Sequence, residues 1–470
     1  MAARRGWVAA WLALSVLGAA CGAADAEQPI TGTTPLSNDT PVGAPASTAV
    51  STTAQPAPTT TASTQPPTTV TSLGVQPDGT LLGPGGLAID LRQCPEEWGD
   101  GAGVTADAIS IGTSAPLSGP YAVFSTIQDG MRARLDAANQ AGGIGGRRVE
   151  LTVLDDGWDP TTTGANAVAL SDQGVLALAG IFGTNQNIAA AAVTEPRCIP
   201  LLAVSASAGF GDPTARPWSI GTAGSWPAEM LITIQQIALA QPAGAKVLLV
   251  VDDEPELTPE LIRAAQSATA KVPGTELLPA VYLPRDGSGT DTALAQITAA
   301  APTAIIVAAN ERGATPIITA ISATTIAVDQ RWTASGTMGA LTAAHASGWR
   351  LVRPADAPTS AATTFEGDFL TAADNLQPAN RAAFWVGYVQ GEILLIALRA
   401  ADAQPGGLTR TNLLVALHSL DAAHPGLAGA RLHTNGTIDP WPIEAAVVTS
   451  YDGTTYTPIG VVDVDGQTAT

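Results

Sequence analysis

The sequence predicts an α/β protein of two lobes, each built on a doubly wound parallel sheet. Short apolar runs of strand length recur, each followed by a turn and a stretch of helical period, the alternation that lays parallel strands under covering helices. The run around Ile109 and Ile111 is apolar or small on both faces, as a buried parallel strand requires. With the N-terminal 86 residues set aside, roughly 380 remain, enough for two domains of ordinary size.

Arg4 and Arg5 precede an apolar run from Trp7 to Leu17, and Gly18-Ala19-Ala20-Cys21 follows. The run is too short to span a bilayer and reads as the core of a secretory signal over 1–21, so the chain is expected to be exported. Cys21 stands where a lipoprotein carries its lipid, and two acyl-bearing groups anchor a protein where one does not. The leucine before it is at 17 rather than three residues ahead of the cysteine, and cleavage after Ala24-Asp25-Ala26 is the competing reading. Residues 22–86, dominated by Ser, Thr, Pro, Ala and Gly, bury too little apolar surface to fold and are expected to be a disordered tether.

The folded part opens with the strand at Ile109 and Ile111, which Ser118-Gly119-Pro120 stops. From about Tyr121 the positions Met131, Leu135 and Ala138 recur at helical spacing, until Gly142, Gly143, Gly145 and Gly146 end the helix. Val149 to Leu154 alternates as a second strand closed by Asp155-Asp156, which completes one βαβ unit. Further strand-like runs follow at 175–180, 199–204, 246–251, 304–309 and 331–334, and Phe384 to Ala400 reads as a helix.

In this order, strand, APLSGPYA, helix, AGGIGGRRVEL and DDxxDP, the chain resembles the type I periplasmic binding proteins, specifically the leucine/isoleucine/valine-binding group that feeds ABC transporters. The resemblance extends over about 107–463. The glycines do not form a dinucleotide fingerprint, because that motif must follow the first strand directly and here they follow the helix. The resemblance implies a hinge of three crossings near Gly221, Val352 and Leu432, with lobe 1 formed by 87–222 and 353–432 and lobe 2 by 223–352 and 433–470. It implies a ligand cleft between the lobes, and a solute-binding lipoprotein that closes over a small amino-acid-like or amide/carboxylate ligand and delivers it to ABC permease subunits. Such a protein is expected to be a monomer without a cofactor, held to the outer face of the cell membrane by its lipid. The alternative is a ligand-sensing module of the same fold that signals to a membrane partner.

Lys and Arg number 21 against 41 Asp and Glu, a net charge of −20, and no basic run follows the signal, which disfavours nucleic acid. If Cys21 carries lipid, Cys94 and Cys198 are an even pair in an oxidising compartment, open to a disulfide or to two separate thiols. His345, His418, His424 and His433 are scattered without ligand spacing, so no metal is expected, and no GxSxG elbow points to an enzyme.

Open α/β sheets bind ligands beyond the carboxyl ends of their strands, which directs attention to the loops there. Gly183, Thr184 and Asn185 lead into a helix expected from Ile188 to Val193, whose first N–H groups and dipole suit an anion. Ser205-Ala206-Ser207 follows the next strand and, with Thr184, falls on the positions that hold carboxylate and amine in the resembled family. Phe124 matches an apolar wall of the cleft; Trp158 either lines the cleft or caps the sheet. In lobe 2, Glu256 and Asn310 fall where amino-acid binders often carry aromatics, and Ser335-Gly336 where many carry the acid that receives the ammonium group. Glu256 or Glu311 supplies that charge, or the ligand is an amide, an amine-free carboxylate or a polyol.

Overall fold

The computed structural model describes residues 73–468 except 256 and 325–327. The signal, Cys21 and the tether up to residue 72 lie outside the described residues.

The tether expected through 86 is too long at its C-terminal end, because folded structure begins at 73. Strands β1 (Gly74–Val75), β2 (Thr80–Leu82) and β3 (Ala88–Asp90) form an antiparallel sheet. Leu81, Leu87 and Ile89 bury themselves against Cys198, Trp218, Leu414 and Val415, an apolar contribution that the surrounding Ser/Thr/Pro composition masks. Cys94 and Cys198 are joined in a disulfide with a Cα–Cα distance of 5.6 Å, which straps this small sheet to the first lobe.

The first lobe's sheet holds β4 (Ala108–Ala115), β5 (Arg148–Asp155), β6 (Ala177–Phe182), β7 (Leu201–Val204) and β8 (Ser219–Gly221), all parallel, in the order β5-β4-β6-β7-β8. Helices α1 (Ser125–Gln140), α2 (Pro160–Asp172) and α3 (Thr184–Thr194) connect them. The DDxxDP segment pins the first loop. Asp155 accepts the Leu117 and Ser118 N–H groups at 2.9 and 3.2 Å, Asp156 accepts the Ser114 hydroxyl at 2.8 Å, and Asp159 caps α2.

After α4 (Trp226–Ala240) the second sheet is built from β9 (Ala245–Asp252), β10 (Thr275–Leu277), β11 (Val281–Leu283), β12 (Ala304–Ala308), β13 (Gln330–Thr333) and β14 (Trp349–Arg353). Helices α5 (Thr258–Lys271), α6 (Thr290–Ala300), α7 (Glu311–Ala323) and α8 (Met338–Ala344) cover it. Val247, Leu249 and Val251 of β9 enter one core with Met230 and Trp332, while Leu248 and Val250 enter the other with Ile317 and Trp349. A strand apolar on both faces is thereby accounted for.

The chain then returns to the first lobe through α9 (Thr364–Ala372), α10 (Pro378–Asp402), α11 (Arg410–Leu417) and the hairpin of β15 (Asp421–Ala423) and β16 (Arg431–His433). It ends in the second sheet with β17 (Ala445–Tyr451) and β18 (Tyr456–Asp463), which pair antiparallel at the edge beside β14. Three passages, 222–225, 354–363 and 434–444, therefore link the two sheets. Helix α10 is long and apolar enough to cross a membrane, yet its apolar side chains are core: Leu394, Leu395 and Leu398 pack with Met131 and Leu135 of α1. The two helices touch through glycine. A Cβ on Gly387 would lie 1.6 Å from the Ile127 carbonyl oxygen, so no larger residue permits this approach.

Candidate functional site

A cavity of about 390 Å3 lies where the ends of β6 and β7 face the second lobe. Val204, Ile232, Met338, Val352, Trp385 and Val389 line it, together with the linkers at 222–226 and 354–357, so most of its wall is apolar and the polar groups within it stand out.

From the first lobe come Phe182, Gly183, Thr184, Ser205 and Ala206. Helix α3 begins at Thr184, earlier than the sequence suggested, because Gly183 makes the turn at φ 104° and lets the backbone run straight from strand to helix. No side chain caps α3, so its first turn offers backbone donors and the positive end of the helix dipole. The Thr184 and Ser205 hydroxyls are 3.2 Å apart beside it.

From the second lobe comes an acid that the sequence reading missed. Ser225 caps α4 by accepting the Ala228 N–H, which sets Glu229 in the first turn of an otherwise apolar helix. The Glu229 carboxylate accepts the Ser335 N–H and the Ser335 hydroxyl, both at 2.6 Å. Burial pushes its carboxyl up to about 7, against the pull of these two hydrogen bonds. The loop at 335–336 thus has no acid of its own but borrows one from α4. A carboxylate heading the run Met230 to Ala240 is the signal that could have revealed it. Nearby, Arg353 donates to Thr449 Oγ1 at 3.1 Å and is ion-paired with Asp356, so its charge is already matched.

Other expected site residues stand elsewhere. Phe124 does not line the cavity; it packs behind Phe182, with its ring 5.2 Å from that of Trp158. Asn185 is exposed and is not among the residues that line the cavity. The Ser207 hydroxyl donates to Glu260 Oε1 at 2.9 Å and the Ala208 N–H to Glu260 Oε2 at 3.0 Å, a contact that ties the first lobe to α5 rather than to a ligand. Asn310 caps α7 through the Gly313 N–H and donates to Asp252, a framing role at the end of β12. Glu311 is outside the lining, and Glu256 lies outside the described residues. Of the histidines, His418 is buried and held neutral, its ring pushed down to about 4 by desolvation, and His424 accepts the Gly426 N–H.

The family described as "Periplasmic binding protein" matches residues 108–453. Leu/Ile/Val-binding protein homolog 1 of Brucella abortus (strain 2308) is 34% identical over 94 residues, 20% of this chain and 25% of that protein, so the chain aligns with a quarter of that relative's length. Among solved structures, a fatty acid ABC transporter substrate-binding protein from Thermomonospora curvata superposes with a TM-score of 0.58 at 20% identity, covering 80% of this chain and 97% of that one. The solute-binding protein of an ABC transporter from R. palustris, solved in complex with benzoate, gives 0.57 at 17% identity over 76% of this chain and 96% of its own. These likenesses concern the fold. The family match, however, spans both lobes and all three passages between them, and on that ground the chain belongs to the periplasmic binding proteins, a family of binders rather than enzymes.

Proposed function

We propose that this chain is the solute-binding component of an ABC importer and that its ligand is a small apolar molecule bearing a carboxylate and an amine or amide. The observation that carries this is Glu229: a buried acid in an apolar cavity, contributed by one lobe while the other contributes an uncapped helix start. In the proposed complex the α3 N–H groups, Thr184 and Ser205 receive the carboxylate, Gly183 and Ala206 let the backbone come close, and Glu229, oriented by Ser335, receives the amine. The apolar wall takes the side chain. Closure of the lobes withdraws all of these groups from water, which strengthens each polar contact.

A second reading is favoured by the Glu229 carboxyl lying near 7, since in its protonated form it donates a hydrogen bond to an amine-free carboxylate. The similar proteins named for a fatty acid and solved with benzoate are consistent with it.

For location, the reading is an exported lipoprotein with its lipid on Cys21. Of the three cysteines, Cys94 and Cys198 are bonded to each other, which leaves Cys21 as the thiol for acylation.

Calorimetric titration with branched-chain and aromatic amino acids, their amides, the matching amine-free acids and sugars tests the function. Micromolar or tighter binding of an apolar amino acid or its amide supports it. Binding of amine-free acids alone selects the second reading, and binding of sugars alone refutes both.

A further inference from the structure

The third passage between the sheets carries a group of side chains that the ligand cavity does not use. His433 ends β16, Asp439 closes the turn that follows, Glu444 precedes β17, and Asp465 lies just beyond β18. The turn is fixed by the Asn435 N–H donating to the Asp439 carbonyl at 2.7 Å and the Ile438 N–H donating to that of Asn435 at 3.0 Å. His433 Nδ1 then lies 2.9 Å from Asp439 Oδ2 and 3.2 Å from Asp465 Oδ1, and the donor atoms of the three residues are all within 4.8 Å of one another. Two ligands each about 2.1 Å from a metal and at right-angled to tetrahedral spacing are roughly 3.0–3.4 Å apart, so the two separations from His433 are close to the edges of a coordination polyhedron.

A histidine beside two aspartates has an ordinary explanation as an ion pair, and a second observation goes beyond it. Asp439 is 3% exposed and Glu444 is 4% exposed, their carboxyls lie within hydrogen-bond reach of each other, and Asp439 Oδ1 and Glu444 Oε1 are buried with no donor from the rest of the protein against them. Such oxygens are costly to bury unless something electropositive meets them. The ion-pair partner of Asp439 and Asp465 among the described residues is His433 alone.

We propose that His433, Asp439 and Asp465, with Glu444 beside them, form a binding site for a divalent first-row cation such as Zn2+ or Mn2+. One imidazole nitrogen among carboxylate oxygens suits these ions, whereas Ca2+ prefers an all-oxygen shell. His433 sits on the hairpin beside the first lobe and Asp465 at the end of the second lobe's edge strand. A bound ion therefore clamps the third passage to the second lobe and restricts the hinge. The site is separate from the ligand cavity, whose lining includes none of these four residues.

The test is calorimetric and thermal titration of the full chain, stripped with EDTA and then given ZnCl2, MnCl2 or CaCl2. The expected result is one-site binding of Zn2+ or Mn2+ with a melting temperature raised by several degrees at saturation. Asp465→Asn changes a side chain that is 50% exposed, so the fold is kept, and it should weaken binding about tenfold or more. His433→Gln should abolish the thermal shift. Absence of heat and of any shift with all three ions at about 1 mM would overturn the proposal. So would a shift that both variants retain, because the ion would then bind elsewhere, or binding of Ca2+ alone that is indifferent to His433→Gln.

Discussion

Replacing Glu229 by Gln isolates the energetic consequence of placing an acid in the apolar cavity. Gln has nearly the same shape, its carbonyl can accept the Ser335 N–H, and its amide can donate to the Ser335 hydroxyl, so the change removes the charge and little else. The carboxyl titrates at about 7 in the folded chain against an ordinary 4.5, and at about 1.4 kcal/mol per unit this difference is about 3 kcal/mol. Its sign follows from proton binding. Between those two pH values the folded state holds more protons than the unfolded chain, so this contribution to stability is fully present below about 4.5 and is lost as pH rises through about 7. The Gln variant has no such proton. Urea unfolding of both proteins without ligand should therefore show the variant gaining on the wild type by about 3 kcal/mol between pH 4.5 and 8. A difference that stays constant within about 1 kcal/mol across that range would refute the claim that Glu229 is buried as a strained acid.

Three further perturbations probe the frame around the cavity. Gly387→Ala should destabilise the protein by about 3 kcal/mol in urea titration, because the new Cβ meets the Ile127 carbonyl, whereas helix propensity alone would predict a gain of about 1 kcal/mol. Cys94→Ser opens a crosslink between residues 104 apart in sequence and should cost about 4–5 kcal/mol, seen as a lower melting temperature and as earlier proteolysis of 73–93. Glu260→Ala removes the contact from α5 to Ser207 and Ala208, so small-angle scattering without ligand should report a larger radius of gyration, and ligand affinity should fall by about tenfold.

The parts of the fold that depend on local pattern were readable. The βαβ unit around Ile109, Met131 and Val149, and the run now seen as β9, declared themselves because apolar alternation and glycine punctuation are properties of neighbouring residues. Thr184 and Ser205, singled out from strand ends and from the resemblance to the family, are found in the cavity lining, because strand ends and helix starts locate the mouth of an open sheet. The small sheet at 74–90 was not, because its leucines find their partners near Trp218 and Leu414, far along the chain. Ser207 and Asn310 had the right residue types at strand ends, but their hydrogen bonds are spent on Glu260 and Asp252. Glu229 escaped notice because its contact with Ser335 arises only when α4 packs beneath that loop, and the two are 106 residues apart. His433 was invisible as a cation ligand in the same way, since Asp465 reaches it through the pairing of β17 with β18.

The central claim is that Glu229 and the start of α3 divide the recognition of one ligand between the lobes. The most direct measurement compares an apolar amino acid with its amine-free acid, titrating each into wild-type protein and into Glu229→Gln at pH 8. Loss of a buried charge-assisted contact of about 2 kcal/mol predicts an amino-acid Kd raised about 30-fold and an amine-free Kd changed by less than about threefold. Equal losses for both ligands, or none for the amino acid, would contradict the account.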